Sequence, residues 1–584
     1  MQQIYRQPKL EDRIEIKNLA LCLKCPIFQL PNGAAKHGIT PPTSVILILI
    51  LQLYPTPHRL HSNALMPIPR SLIPNVHHLT KLISASSRAF QALAQLAVPE
   101  PPPSATPLSS HAPHYEPQRL PFVQSFKMET DILPVDATQL GKISIHRSAD
   151  AIVDEWSIEY AEGKDLESMR RAAKELATTD VPVAFPTETV YGLGADATKS
   201  SAVRAIFAAK GRPADNPLIV HVHSIQQLRS LLVGGKQTIK DDSDPIPEIY
   251  KLLIQKFWPG PLTIILPNPT NSLLAPEVTA GLNTFGARMP CSILALTLIQ
   301  LAGVPLAGPS ANASTRPSPT AAEHVKDDLN GRIATIIDGG PCSVGVESTV
   351  VDGLSSPPTI LRPGGVTIEQ LRRVPGWENV MIGYKDVHEK GIKPRAPGMK
   401  YRHYSPKATV ILYEAKAQIP DPKRLLEQAA NKMAKGKKVG IIRTKRWKRA
   451  MGLPVDPNET AKVQAQEHTN GASEPDSVGA IDALAGSGVS NGRLSNLLLS
   501  VIQHQAPVPE HIVLKEGLVT PMDLWDVDLG ADTEGVARGL FSALRELDRR
   551  GVDVIFVEGI DDTVGDDIAA AVMNRLRKAA EIRV

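Results

Sequence analysis

Cysteine is scarce in this chain: four residues among 584. So sparse a set excludes a disulfide scaffold and points to a reducing compartment. Cys22 and Cys25 form a lone CxxC, whereas a structural zinc site needs four ligands, so they read as two ordinary thiols. Long apolar runs are missing too. Val45 to Leu51 (VILILIL) falls far below the ~20 residues that span a bilayer, which argues against a transmembrane helix. It also lies too far from Met1 to be the apolar centre of a signal peptide. No Walker A sequence occurs, since Gly234-Gly235-Lys236 lacks both the spacing and the following hydroxyl. Gly486-Ser487-Gly488 has neither the spacing to Gly492 nor the preceding strand of a dinucleotide fingerprint.

Acidic residues are absent from Lys17 to Pro99. Residues 1–140 are rich in Pro, His, Ser and Leu without a sustained period, and such a segment buries too little apolar surface to offset its ordering entropy. From Met66 onward it carries Arg and Ser and is partly amphipathic, as transit peptides are. Three readings stand: a disordered extension, a transit sequence from an internal start, or an upstream gene-model artefact. The expected residence is cytoplasmic, with a mitochondrial form if the internal start is used.

The length calls for two or more domains. The net charge of +4 permits an RNA partner without implying one. A folded domain is predicted from 165 to 384, with helices near Leu166–Ala177, Ser200–Ala209, Ile246–Phe257 and Ile293–Ala302. Strands are predicted at Val181–Phe185, Leu218–Val222, Leu262–Leu266, Pro305–Gly308, Ala334–Ile337, Ser348–Val351 and Thr359–Leu361. A further helix starts near Thr320, with Glu323 completing a capping box. Interleaved helices and strands read as α/β with a mixed sheet. A basic, proline-punctuated linker covers 385–407, with aromatic and histidine content odd for a passive one. A second α/β pattern runs from 408 to 584, interrupted by a Gly/Ser-rich insertion at 454–492 that reads as disordered.

Two polar runs stand out. Lys210-Gly211-Arg212-Pro213, with Asn216 and His221 beyond it, sets two cations around a turn that a side chain at Gly211 would hinder. As a helix C-cap, Gly211 accounts for Lys210 but not for the rest. About a hundred residues on, Ser310-Ala311-Asn312 offers a hydroxyl and a carboxamide suited to phosphate oxygens and a base or ribose edge. Phe185 to Gly194 (FPTETVYGLG) follows a strand end, where α/β sheets collect ligands. Taken singly, Arg288 reads as a solvated or structural arginine after a strand, and Ser348 and Arg362 read as strand-end residues.

Together these runs resemble the threonylcarbamoyl-AMP synthases, the YrdC-like family, in its longer form with a C-terminal accessory domain. The resemblance rests on PTETVYGLG, KGRPxxNPL, FWPGPLT (257–263), PSAN with RPSPT (316–320), ESTVVD (347–352), PGMKYRHYSP (397–406) and the terminal run Ala571 to Ala580. It implies a YrdC-like twisted mixed sheet with helices and a smaller Rossmann-like C-terminal domain. It implies condensation of L-threonine, bicarbonate and ATP into threonylcarbamoyl-adenylate, with pyrophosphate released, for tRNA threonylcarbamoyladenosine formation. The family implies that Thr189, His221, Arg288 and Ser348 hold threonine. Lys210, Arg212, Asn216, Thr284, Ser310, Asn312, Ser318 and Arg362 would surround ATP, with Lys210 and Arg212 as the catalytic cations. His403, and Tyr401 with it, would reach in from the linker as a lid. Magnesium would ride on the triphosphate, since no Asp/Glu pair advertises a metal site. The implied partners are a downstream threonylcarbamoyl-transferase complex and tRNA or double-stranded RNA; no membrane is implied.

One stretch departs from the pattern. After Arg288-Met289-Pro290 the family continues with a small polar residue, His and Pro, but here stand Cys291, Ser292 and Ile293, which puts the local turn in doubt. Two rival functions remain. A non-catalytic RNA-binding module of this fold would grip backbone phosphates in a salt-dependent manner. A carbamoyl transferase of the hydrogenase-maturation kind would bring paired CxxC motifs, which are missing.

Overall fold

Short apolar runs become strands here and amphipathic stretches become the helices that cover them. The computed structural model describes residues 128–146, 152–153, 155–235, 244–384, 394–395, 403–432, 438–455, 507–514, 523–563 and 568–584. The chain opens with β1 (Asp131–Pro134), β2 (Gly141–His146), β3 (Glu155–Tyr160) and α1 (Lys164–Thr178). Next come β4 (Val183–Phe185), β5 (Gly192–Asp196), α2 (Ser200–Lys210), β6 (Ile219–His221), α3 (Ile225–Val233) and α4 (Glu248–Phe257). They are followed by β7 (Leu262–Pro267), α5 (Pro276–Thr279), β8 (Thr284–Arg288), α6 (Ile293–Ala302) and β9 (Leu306–Ala307). The first layer system closes with α7 (Ala322–Leu329), β10 (Thr335–Asp338), β11 (Thr349–Asp352), β12 (Thr359–Arg362), α8 (Ile368–Arg372) and β13 (Met381–Ile382).

Eleven of these thirteen strands form one mixed sheet in the order β1-β10-β4-β5-β9-β6-β8-β7-β11-β12-β13, while β2 and β3 pair with each other in a separate antiparallel hairpin. The parallel pairs β6/β8 and β7/β11, with β7 antiparallel to β8, bring several polar strand ends to one edge region. There the ends of β6, β8 and β12 meet the starts of β7 and β11. Helix α1 buries Leu166, Met169, Ala172, Ala173 and Leu176 on one face and packs against α6, which is apolar nearly all round.

The C-terminal part holds β14 (Thr409–Tyr413), α9 (Pro422–Lys432), β15 (Lys438–Arg443), β16 (Glu510–Ile512) and β17 (Asp523–Asp528). It ends with α10 (Thr533–Arg549), β18 (Val554–Glu558), α11 (Ala569–Ala579) and β19 (Ile582–Arg583). Its sheet runs β16-β17-β15-β18-β14-β19, parallel except at the β16/β17 edge. β18 is buried along its whole length, as expected for a parallel strand covered on both faces. An apolar cluster joins Val190, Val346 and Tyr404 to Val536, Leu540, Phe541 and Val572. The two sheet regions therefore meet across this shared cluster, and each also keeps a cluster of its own.

The boundaries differ from the sequence expectation at the start. Folded structure begins well before 165: β1 pairs in parallel with β10, and Asp165 accepts from the amide of Asp136 at 2.8 Å. Residues 128–140 thus belong to the sheet domain, while residues 1–127 of the expected extension lie outside the described residues. The expected insertion at 454–492 lies outside them too, apart from its first two positions, as does most of 385–407 including Tyr401. The capping box predicted at Thr320 does not form. Ala321 caps α7 without a side-chain bond, and the amide of Thr320 instead donates to His324 Nδ1 at 3.2 Å. A capping box does form at Thr367 and Gln370, at the start of α8.

Candidate functional site

Gly211 terminates α2 in the left-handed conformation (φ 61°), and the amide of Arg212 returns to Phe207 O at 3.0 Å. That cap turns Lys210 inward. Its buried ammonium donates to the carbonyls of Ser310 and Asn312, each at 2.5 Å, and lies 3.4 Å from Asn312 Oδ1. Burial, reinforced by the charge of Arg212, holds the ammonium well below the usual lysine range. Lys210 therefore secures the Ser310–Asn312 turn. Arg212 is anchored by the carbonyls of Asn216 and Pro217, at 3.3 and 3.0 Å.

A cavity opens beside this turn. Lys210, Arg212, Ser310, Asn312, Ser318, Arg362 and His403 line it together with Thr189, His221, Arg288 and Ser348. Eleven of the fourteen residues singled out in the sequence thus share one space, and Tyr401 lies outside the described residues. Asn216 and Thr284 do not share it: Asn216 is buried with its Oδ1 unpartnered, and Thr284 starts β8 beside a separate small cavity with Pro217 and Arg395.

On the amino-acid side, sheet register sets the geometry. His221 and Arg288 are direct partners across β6 and β8. The Arg288 guanidinium donates from Nε to Gly260 O at 3.1 Å, from Nη1 to Thr189 Oγ1 at 2.8 Å and from Nη2 to the buried Glu188 carboxylate. Three of its five N–H groups are so engaged, leaving one on each terminal nitrogen. Burial, with the Arg288 charge adding to it, pushes His221 down to about 3, so its ring is neutral near pH 7. Gly308 makes room for that ring, because a Cβ there would lie 2.8 Å from His221 Nδ1. Ser348 Oγ sits 2.8 Å from Thr263 Oγ1 and accepts from Arg362 Nη2 at 3.1 Å. Burial brings Arg362 down to about 10, which still leaves it charged near neutrality.

The sequence reading missed Glu347, Arg316 and Tyr404, which also line the cavity. Glu347 accepts from Ser318 Oγ at 2.5 Å. Tyr404 stacks on Phe541 with ring centroids 5.3 Å apart and neighbours His403 at 5.6 Å. The linker's aromatic content was the one signal that pointed there. The departure at Cys291-Ser292-Ile293 leaves the turn intact, since Ser292 caps α6 through the Ala295 amide and donates to Pro186 O at 3.1 Å. Among the described residues, no group of three or more His, Cys, Asp or Glu side chains is arranged to hold a metal ion. Among those residues, too, no helix is long and apolar enough to cross a membrane.

Comparison with known proteins assigns the family. Residues 175–364 match the family model described as Telomere recombination, and 366–581 match that described as Threonylcarbamoyl-AMP synthase, C-terminal domain. The threonylcarbamoyl-AMP synthase of Schizosaccharomyces pombe is 39% identical over 472 residues, covering 78% of this chain and 98% of that relative. The synthase of Bacillus subtilis is 40% identical over 414 residues, covering 71% and 93%. The crystal structure of Pyrococcus abyssi Sua5 complexed with L-threonine superposes with a TM-score of 0.52 at 35% identity, over 78% of this chain and 100% of that one. The chain is an enzyme-family member on these grounds, and it belongs to the threonylcarbamoyl-AMP synthases.

Proposed function

We propose that the protein condenses L-threonine, bicarbonate and ATP into threonylcarbamoyl-adenylate and pyrophosphate, as a nucleotidyltransferase serving tRNA threonylcarbamoyladenosine formation. The observation that carries this reading is the single cavity in which Arg288, Thr189, His221 and Ser348 adjoin Lys210, Arg212, Ser310, Asn312, Ser318, Arg362 and His403. The crystal structure of the Pyrococcus abyssi relative with L-threonine supports the amino-acid half.

In this reading the threonine carboxylate takes the two N–H groups that Arg288 has left, a bidentate grip suited to guanidinium. Glu188 already balances that guanidinium, so it serves as an oriented donor pair more than as a bare charge. Neutral His221 and the hydroxyls of Thr189 and Ser348 meet the threonine hydroxyl and amine. The amine, in its neutral form, adds to bicarbonate or CO2 to give a carbamate, with water leaving when bicarbonate is used and a proton passing to solvent when CO2 is used. A carbamate oxygen then bonds to the α-phosphorus while the bond to the departing pyrophosphate breaks. Arg212 and Arg362 oppose the charge that builds up, and Lys210 fixes the turn whose Ser310 and Asn312 orient the nucleotide. His403 and Tyr404 cover the cavity and keep water from the carbamate and the mixed anhydride. With no metal cluster among the described side chains, magnesium would arrive on the triphosphate, and the steps above rest on the chain's own residues. The adenylate would pass to a threonylcarbamoyl-transferase complex acting on tRNA.

The test is pyrophosphate release by the purified protein with each amino acid offered in turn. Release that depends on threonine, bicarbonate and ATP together is expected. Release indifferent to the amino acid would overturn the reading.

A further inference from the structure

The terminal run Ala571 to Ala580 lies outside the sheet domain that carries the cavity, yet one of its residues reaches the cavity wall. Arg575, on α11, is fully buried and donates from Nε to Glu347 Oε2 at 3.0 Å and from Nη1 to Pro363 O at 2.5 Å. Its guanidinium also faces the Tyr404 ring, 5.7 Å from the centroid. Arg575 does not line the cavity, but Glu347 and Tyr404 do, and the second oxygen of Glu347 accepts from Ser318. Burial alone would raise the Glu347 carboxyl, but Arg575 and Arg362, with the Ser318 hydroxyl, outweigh it and hold it below its ordinary range. An ionised carboxylate thus stands in the wall beside the residues assigned to a triphosphate, with its charge balanced from behind.

We infer that Arg575 is a positioning residue supplied by the C-terminal domain, which orients Glu347 and Ser318 and neutralises Glu347 so that a nucleoside triphosphate is accepted beside it. The inference rests on the proposed nucleotide site. It gives the C-terminal domain a part in ATP affinity separate from any lid formed by the linker. Without the guanidinium, Glu347 would repel the phosphates, while the amino-acid half, built on Arg288, would keep its geometry.

The test measures ATP and L-threonine binding to the full chain by titration calorimetry, with thermal unfolding alongside. Arg575→Met should weaken ATP binding by about tenfold or more and change threonine binding by less than about twofold. Adding Glu347→Gln to that variant removes the unbalanced charge and should restore ATP affinity to within about threefold of the parent. A purely structural role predicts no such rescue. Should Arg575→Met alone fail to fold, the paired variant, which carries no charge at either position, decides by the same threefold criterion. A paired variant as impaired as the single one, or a folded Arg575→Met with parental ATP affinity, overturns this role alone. A parent chain that binds no ATP overturns the reading of the cavity and this role with it.

Discussion

The ammonium of Lys210 donates to the carbonyl of Ser310 at 2.5 Å, across a hundred residues of chain. One side chain thereby joins the two polar turns that the sequence sets apart. Lys210→Met would leave the buried Asn312 carbonyl without this donor, at a cost of about 1–3 kcal/mol, and the half-buried Ser310 carbonyl at a smaller one. We expect pyrophosphate release to fall by about a hundredfold or more, with a lowered melting temperature. Arg212→Ala, at a half-buried position, should reduce turnover while the melting temperature shifts by less than about 2 °C. Full activity in both variants would remove the nucleotide assignment.

The Arg288–Glu188 pair is nearly inaccessible on both sides, with side-chain exposures of 4% and 1%. Removing one partner of such a pair costs about 3–5 kcal/mol, because a lone charge stays buried. Glu188→Ala should therefore destabilise by roughly that amount in chemical denaturation, whereas Arg288→Lys, which cannot form the fork, should mainly raise KM for threonine. Equal loss of stability in the two variants would contradict this division.

His221 sets the expected response to acid. Its folded value of about 3 lies below the ordinary 6.5, so the folded state binds fewer protons than the unfolded one. The stability that this adds is complete above pH 6.5 and is lost as pH falls toward 3, at up to about 1.4 kcal/mol per unit. Melting temperature measured from pH 7 to pH 4 should fall less steeply in His221→Gln than in the parent. Parallel curves would show that this imidazole titrates normally.

Legibility from sequence followed local strength of signal. Helices α1, α2 and α6 carry long periodic or apolar stretches and were placed to within a few residues. β5 was not predicted: GLGAD has no β-branched residue, and it is a strand because β4 and β9 pair with it on both sides. β1 was missed as a four-residue run, DILP, whose order comes from β10, two hundred residues away. In the site, the polar motifs identified most lining residues, but Glu347 looked like an ordinary strand-entry residue. Its role is set by Ser318 and Arg575, which reach it only through the tertiary fold. Lys210 was legible as a site residue and not as a carbonyl donor, since cations near phosphate motifs and cations bracing turns share one local sequence.

Gly308 offers the narrowest test of the amino-acid half. Its backbone passes so close to His221 that an added methyl would stand 2.8 Å from Nδ1 and 3.1 Å from Cε1 of the ring. The ring also meets Phe185 edge to face, at 87° with centroids 6.2 Å apart, so it has both Gly308 and Phe185 as neighbours. Gly308→Ala should therefore displace the imidazole toward the cavity and raise KM for threonine by about tenfold, with KM for ATP changed far less. Gly303→Ala is the control: that glycine caps α6 at φ 70° with open space around it, so its replacement costs stability through backbone strain and leaves both KM values alone. If Gly308→Ala raised the two KM values equally, His221 would belong to the whole cavity and not to its amino-acid half.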